Sequence, residues 1–287
     1  MEYQLLAVDL DGTLFSRERE IARESVDAFK AFSEQGGEVV VCSGRSPLST
    51  RWILKTIGLS DPIIAYNGAV IQEADGKIHE QSPFRKEDLV SFIEACHKFG
   101  VYAQLYEGDH LLVPEVNELN KRWIENNIPS LLKSGGTEEE CSQFRGQCEV
   151  RHVEALADYV DTNEPAIHKL AAFPKEGCRF EEFISHLNTL KEQFEVSSSF
   201  SYESLEISPA GISKASALQK LASMLDISME RVAAIGDNFN DVYMLQEAGL
   251  GIAMGNAPDE VKKLADAVTE TNDNLGVAKA VRKYLLK

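Results

Sequence analysis

The feature that most constrains this chain is a series of short apolar runs, each stopping at a cluster of acids, hydroxyls or glycines. LLAVDLD (5–11) ends in acids, EVVVCSG (38–44) in Ser-Gly, PIIAYNG (62–68) in Asn-Gly and RVAAIGD (231–237) in Gly-Asp. GLGIAMG (249–255) and DAVT (266–269) continue the series. Runs this short, apolar on both faces, predict buried strands. Helical patterns at 21–35, 214–225 and 240–248 lie between them, and another closes the chain at 275–286. Strands alternating with helices predict a parallel sheet covered on both faces.

The middle of the chain reads differently. Between helical patterns near 86–99, 115–126 and 179–192 lie VYAQLYEG (101–108), HLLVP (110–114), AIHKLAAF (166–173) and the paired stretches FEVSSSFS and SLEIS (194–208). Alternation is clearer here and predicts an antiparallel sheet with helices on one face. GGTEEE (135–140) reads as a surface loop. The expected fold is α/β: a doubly wound, Rossmann-like parallel-sheet core from residues 1–83 and 209–287, with an α+β domain inserted at 84–208. Ser82-Pro83 and Ser208-Pro209-Ala210-Gly211 are suitable boundaries.

Composition narrows the function. With 46 acidic and 29 basic residues the net charge is −17, which argues against nucleic acid or an anionic membrane as partner. It leaves room for a small anionic substrate, because a metal and a few placed cations reverse a local field. No apolar run approaches the ~18–20 residues of a membrane helix, and MEYQLLAVDLDG lacks a signal peptide's basic start. A cytoplasmic protein is expected. Its five scattered cysteines, with no CxxC among them, are expected to be free thiols. No heptad or apolar patch declares an oligomer.

Ligands of open α/β sheets bind beyond the carboxyl ends of the strands. The residues that follow the runs are therefore the candidate site: Asp9, Asp11, Gly12 and Thr13; Ser43, Gly44 and Arg45; Asn67 and Gly68; Asp237, Asn240 and Asp241. Lys214 stands at a helix start between them. A single DxD is an ordinary turn, but these groups converge on one sheet edge from separate segments. The six histidines form no HxH or HExxH pattern, and none is expected to bind metal. Tyr102, Tyr106 and Trp123 follow core spacing.

Together DLDGTL (9–14), SGR (43–45), Lys214 in SPAGISKASAL and GDNFND (236–241) resemble the haloacid dehalogenase superfamily of phosphotransferases. YNGA (66–69) and the large insert are similar to its Cof-type branch, whose insert is a type IIB cap. Ala215 and Phe239 depart from the usual glycine and smaller residue at those places, without removing a functional group.

The resemblance implies a Mg²⁺-dependent phosphatase acting on small phosphomonoesters, sugar phosphates or phosphorylated cofactors, with the cap selecting the substrate. Asp9 would attack phosphorus and form an aspartyl-phosphate. Asp11 would serve as general acid and then general base. Lys214, Gly12, Thr13, Ser43 and Gly44 would bind the phosphoryl group. Mg²⁺, a hard cation that prefers oxygen, would take the Asp9 and Asp237 carboxylates and the Asp11 backbone carbonyl. Asn240 and Asp241 would orient it from behind.

Several roles stay open at this point. Asp241 fits a helix cap as well as metal support. Arg45 fits substrate contact or pairing with an acid. Asn67 and Gly68 fit a turn or a pocket wall. Alternatives to the phosphatase are a sugar phosphomutase and a non-enzymatic phosphate-responsive module with Asp9 as phosphoacceptor.

Overall fold

The computed structural model describes residues 2–198 and 204–286. Within the stretch 194–208, residues 199–203 lie outside the described residues. The strands in chain order are β1 Leu5–Asp9, β2 Glu38–Cys42, β3 Ile63–Ala65, β4 Val70–Gln72 and β5 Ile78–Gln81. Then come β6 Tyr102–Glu107, β7 His110–Val113, β8 Glu149–His152, β9 Ile167–Phe173, β10 Phe194–Ser198 and β11 Leu205–Pro209. Last are β12 Val232–Gly236, β13 Leu250–Ala253 and β14 Ala267–Val268.

One sheet has the order β14-β13-β12-β1-β2-β3-β4-β5. The pairings from β14 to β3 are parallel, and β4 turns back antiparallel on β3. β1 is flanked on both sides and all five of its residues are buried, which explains its apolar run. Register then places the site. Asp9 pairs opposite Cys42, so Ser43 follows beside it. Val8 pairs opposite Ile235, so Gly236 and Asp237 emerge on the other flank.

The second sheet has the order β10-β11-β9-β6-β7-β8. It is antiparallel except where β8 runs parallel to β7, an exception to the expected antiparallel sheet. Alternate residues such as Ala103 and Leu105 join a core with Phe92, Phe183 and Phe194 from the neighbouring helices and strand. Phe92 meets Phe183 and Phe194 edge-on, with ring centres 6.2 and 6.4 Å apart, an arrangement favoured by the ring quadrupoles.

The chain divides into two compact units: Met1–Glu80, Asn127–Ser142 and Ser213–Lys287 in the first, Gln81–Asn126 and Gln143–Ile212 in the second. The chain therefore passes between units four times, where two crossings follow from a simple insertion. The extra return arises because the helix Ile128–Lys133 buries Ile128 and Leu131 and contacts the helix Pro47–Thr56.

The GGTEEE stretch is not a loop throughout, since Glu138–Gln147 is helical. The Thr137 hydroxyl accepts the Glu140 N–H at 3.2 Å, and the Glu140 carboxylate accepts the Thr137 N–H at 2.9 Å. This reciprocal box satisfies helix-start donors, and Glu138, Glu139 and Glu140 suit the positive end of the helix. The five cysteines are all free thiols. Among the described residues no helix is long and apolar enough to cross a membrane.

Candidate active site

β1 delivers Asp9, and the chain then coils tightly through Leu10–Leu14. Gly12 has φ +87°, and a Cβ there would stand 2.3 Å from Asp237 Oδ2, so only glycine fits. This close approach brings the two acidic segments together. The Thr13 hydroxyl donates to Asp237 Oδ1 at 2.9 Å. Thr13 thus orients an acid with its side chain.

Lys214 opens the helix Lys214–Met224, which begins with a box between Ser213 and Ser216. Its ammonium donates to Asp9 Oδ1 at 2.5 Å and to Asp241 Oδ1 at 2.7 Å. Lys214 and Asp241 are 1% and 0% exposed, and Asp9 is 5% exposed. Asp241 Oδ2 accepts the backbone N–H groups of Asp237 and Asn238, each at 3.0 Å. Asp241 thus braces the turn at 237–238 and is the second anchor of Lys214, while its side chain makes no cap bond to the helix Val242–Glu247 that follows.

Ser43 is buried, and its hydroxyl accepts the Arg45 N–H at 3.1 Å. Gly44 lies in the loop between β2 and the helix Pro47–Thr56. Arg45 grips Asp11 with two hydrogen bonds of 2.6 Å. Tyr66, Asn67 and Gly68 all have positive φ, of 50°, 54° and 111°. Such consecutive left-handed residues store strain that the surroundings must hold. The hold is visible: Tyr66 N–H donates to Arg45 O, Asn67 N–H to Ser43 O, and a Cβ on Gly68 would meet Ser213 O at 2.2 Å. Asn240 Nδ2 donates to Asn67 Oδ1 at 3.1 Å, so Asn240 reaches a strained loop.

Asn256 was not among the residues singled out from the sequence. Its Nδ2 donates to Gly12 O at 2.8 Å and lies 3.4 Å from Asp237 Oδ2, while its Oδ1 accepts the Asn272 N–H. Asn272 Nδ2 in turn donates to Phe15 O at 2.8 Å. GNAP after the strand GLGIAMG was the available signal, a polar cluster at one more strand end.

The electrostatics follow from burial. Desolvation, with the charges of Asp241 and Asp237, pushes the Asp9 carboxyl well above its ordinary range against the pull of Lys214. Burial and the Asp241 charge raise Asp237 to about 6, although Thr13 and Lys214 oppose this. Burial opposes the Lys214 charge, but Asp241 and Asp9 outweigh it and the lysine stays protonated. Asp11 behaves differently: desolvation opposes its charge, yet the Arg45 guanidinium holds the carboxyl below the ordinary range. Its side chain is 57% exposed.

Asp9, Asp237 and Asp241 present carboxylate oxygens within 4.8 Å of one another. One lysine among three buried acids leaves an excess of negative charge, and the donors are all hard oxygens. That set fits a divalent cation of the Mg²⁺ type.

A family model described as haloacid dehalogenase-like hydrolase matches residues 6–281. The chain belongs to that family. This haloacid dehalogenase-like hydrolase is 30% identical to phosphatase YwpJ of Bacillus subtilis (strain 168), over 98% of this chain and 100% of the relative. It is 29% identical to the 5-amino-6-(5-phospho-D-ribitylamino)uracil phosphatase YcsE of the same organism, over 100% and 97%. A solved haloacid dehalogenase-like hydrolase from B. subtilis superimposes with a TM-score of 0.81 at 29% identity, covering 99% of this chain and 100% of that one.

Proposed function

We propose that this enzyme, a phosphoric monoester hydrolase of the haloacid dehalogenase-like family, is a Mg²⁺-dependent phosphatase of small metabolites that works through an aspartyl-phosphate on Asp9. The observation that carries the reading is the buried Lys214 bridge between Asp9 and Asp241, with Asp237 in the same carboxylate cluster. Lys214 fixes one Asp9 oxygen and leaves the other for attack on phosphorus. As the Asp9 oxygen–phosphorus bond forms, the ester oxygen–phosphorus bond breaks, and Asp11, after taking up the proton that its pairing with Arg45 disfavours, gives that proton to the departing oxygen. Asp11 then takes a proton from water, whose oxygen attacks phosphorus and displaces Asp9 as a carboxylate. Inorganic phosphate is the second product.

Asp9 and Asp237 carboxylates with the Asp11 carbonyl would hold Mg²⁺, which supplies charge neutralisation that lets a carboxylate approach a dianionic phosphate. Asp241 supports them indirectly, since both its oxygens are engaged by Lys214 and the 237–238 backbone. Ser43, Gly12 and Gly44 would meet phosphoryl oxygens. The insert would select the leaving group, and the domain division expected from sequence, 1–83 with 209–287 against 84–208, is the proposed division between chemistry and selection. Sugar phosphates and phosphorylated cofactors are the proposed substrates. The phosphoribityl compound named for YcsE belongs to that class.

The test is phosphate release from a panel of small phosphomonoesters, with Mg²⁺ and with EDTA, for wild type and Asp9→Asn. Metal-dependent release lost in the variant supports the reading. Wild-type turnover by Asp9→Asn would overturn the nucleophile, and rearranged ester without phosphate release would favour a mutase.

A further inference from the structure

Arg45 joins two residues that are 116 positions apart. Its Nε and Nη2 donate to the two Asp11 carboxylate oxygens, each at 2.6 Å. Its remaining nitrogen, Nη1, donates to Asn127 Oδ1 at 2.7 Å. The guanidinium also lies over the Phe15 ring, 5.1 Å from its centre. A guanidinium is a rigid planar fork, so holding one nitrogen sets the direction in which the opposite edge points.

Asn127 is itself held in place. The same Oδ1 accepts the Ser49 hydroxyl at 2.5 Å. Asn127 precedes the helix Ile128–Lys133, whose Ile128 and Leu131 are buried, and Lys133 pairs with Glu18 at 2.9 Å. Asn127 is thus a fixed acceptor, and the order of control runs from Asn127 to Arg45 to Asp11.

We propose that Asn127 is a positioning residue for the reaction: through Arg45 it sets where the Asp11 carboxylate stands. The inference rests on the phosphatase reading above, in which Asp11 protonates the leaving oxygen. Asn127 acts through its bond to Arg45. The segment 127–142 returns to the first unit with one polar side chain aimed at the residue that grips the general acid.

The consequence is selective. An alkoxide leaving group needs the proton from Asp11, whereas p-nitrophenolate departs without one. The ratio kcat/KM reports steps up to departure of the leaving group. Asn127→Ala is expected to lower kcat/KM for alkyl phosphomonoesters about tenfold, a part of what general acid catalysis supplies. With p-nitrophenyl phosphate it is expected to change little, so the dependence on leaving-group pKa steepens. Asn127→Asp retains an acceptor oxygen and should restore the shallow dependence. Arg45→Ala combined with Asn127→Ala should equal Arg45→Ala alone, because the two act in series.

Equal losses on both ester classes from a variant that melts with the wild type would overturn the proposal, as would losses at Arg45 and Asn127 that multiply. Asn127→Leu, close in volume and without the acceptor, carries the same expectation if the alanine variant fails to fold. A crystal structure of either variant gives a readout apart from activity. An Asp11 carboxylate unmoved and still bidentate to Arg45 sinks the proposal. A wild type that releases phosphate from no ester sinks the phosphatase reading instead.

Discussion

The two units bury polar groups in different ways. In the first, Asp9, Asp237, Asp241, Lys214, Thr13 and Asn256 form a connected network in which each has a hydrogen-bond partner from another segment. In the second, the interior is largely aromatic and aliphatic; its buried polar groups form small local sets, such as Asn120 with the Tyr102 hydroxyl, and both ring nitrogens of His168 lack partners among the described residues. A connected network keeps Lys214 protonated and the carboxyl groups around it aimed, as phosphoryl transfer needs. An isolated buried imidazole can only stay neutral, and burial lowers the His168 pKa to about 4. The difference teaches that reactivity here comes from assembly of charges, while the second unit is stabilised mainly by apolar packing.

The largest effect expected from breaking this contrast is on turnover. Asp9→Asn should lower phosphate release by roughly a thousandfold or more while far-ultraviolet circular dichroism stays that of wild type. Next is stability. Lys214→Met removes the counter-charge of two buried carboxylates and should cost about 3–5 kcal/mol in urea unfolding of the metal-free protein. Lys169→Met, which breaks the pair with the half-exposed Glu206 in the second unit, should cost about 1 kcal/mol or less. Equal costs would erase the distinction between a fully buried network and a partly exposed pair.

The dependence on pH should have opposite sign in the two units. In EDTA, folded Asp237 holds a proton between pH 3.8 and about 6 that the unfolded chain has released, so its contribution to stability falls as pH rises through that window. Asp9 acts in the same direction. His168 runs the other way: between pH 6.5 and about 4 the unfolded chain takes a proton that the folded protein refuses, so its contribution falls as pH drops. Relative to wild type, Asp237→Asn should therefore gain stability as pH is raised from about 4 to 6, and His168→Phe should gain as it is lowered. Difference curves of the same slope, measured by urea midpoints across that range, would break the comparison. A comparably small effect is expected at the helix start beside the second unit's boundary, where Thr137→Ala should cost about 1 kcal/mol of thermal stability.

Legibility in the sequence followed the same divide. The site residues sit where buried strands stop, and such strands announce themselves as unbroken apolar runs. Asp9, Ser43, Asn67 and Asp237 were found that way, and the structure brings their loops to one sheet edge. The direction in which Thr13 and Asn240 point was not legible, because each bonds to a residue more than 170 positions away. Asn256 was missed for the same reason. The capping box of Thr137 and Glu140 was readable, but its acids resembled a solvated loop more than a helix start. The return of 127–142 to the first unit had no sequence signal, since Ile128 and Leu131 would pack equally well on either unit. That β8 runs parallel to β7 depends on the path between them, which periodicity does not report.

The central strand has a further consequence during synthesis. β1 is made well before its flanking partner β12, which lies some 225 residues later, and Asp9 waits 205 positions for Lys214. Until then the nascent chain carries an apolar strand with one unpaired edge and a carboxylate with no counter-charge. Non-local pairing of this kind slows folding and prolongs exposure to aggregation. The catalytic network therefore cannot close before Lys214 and Asp241 have been made.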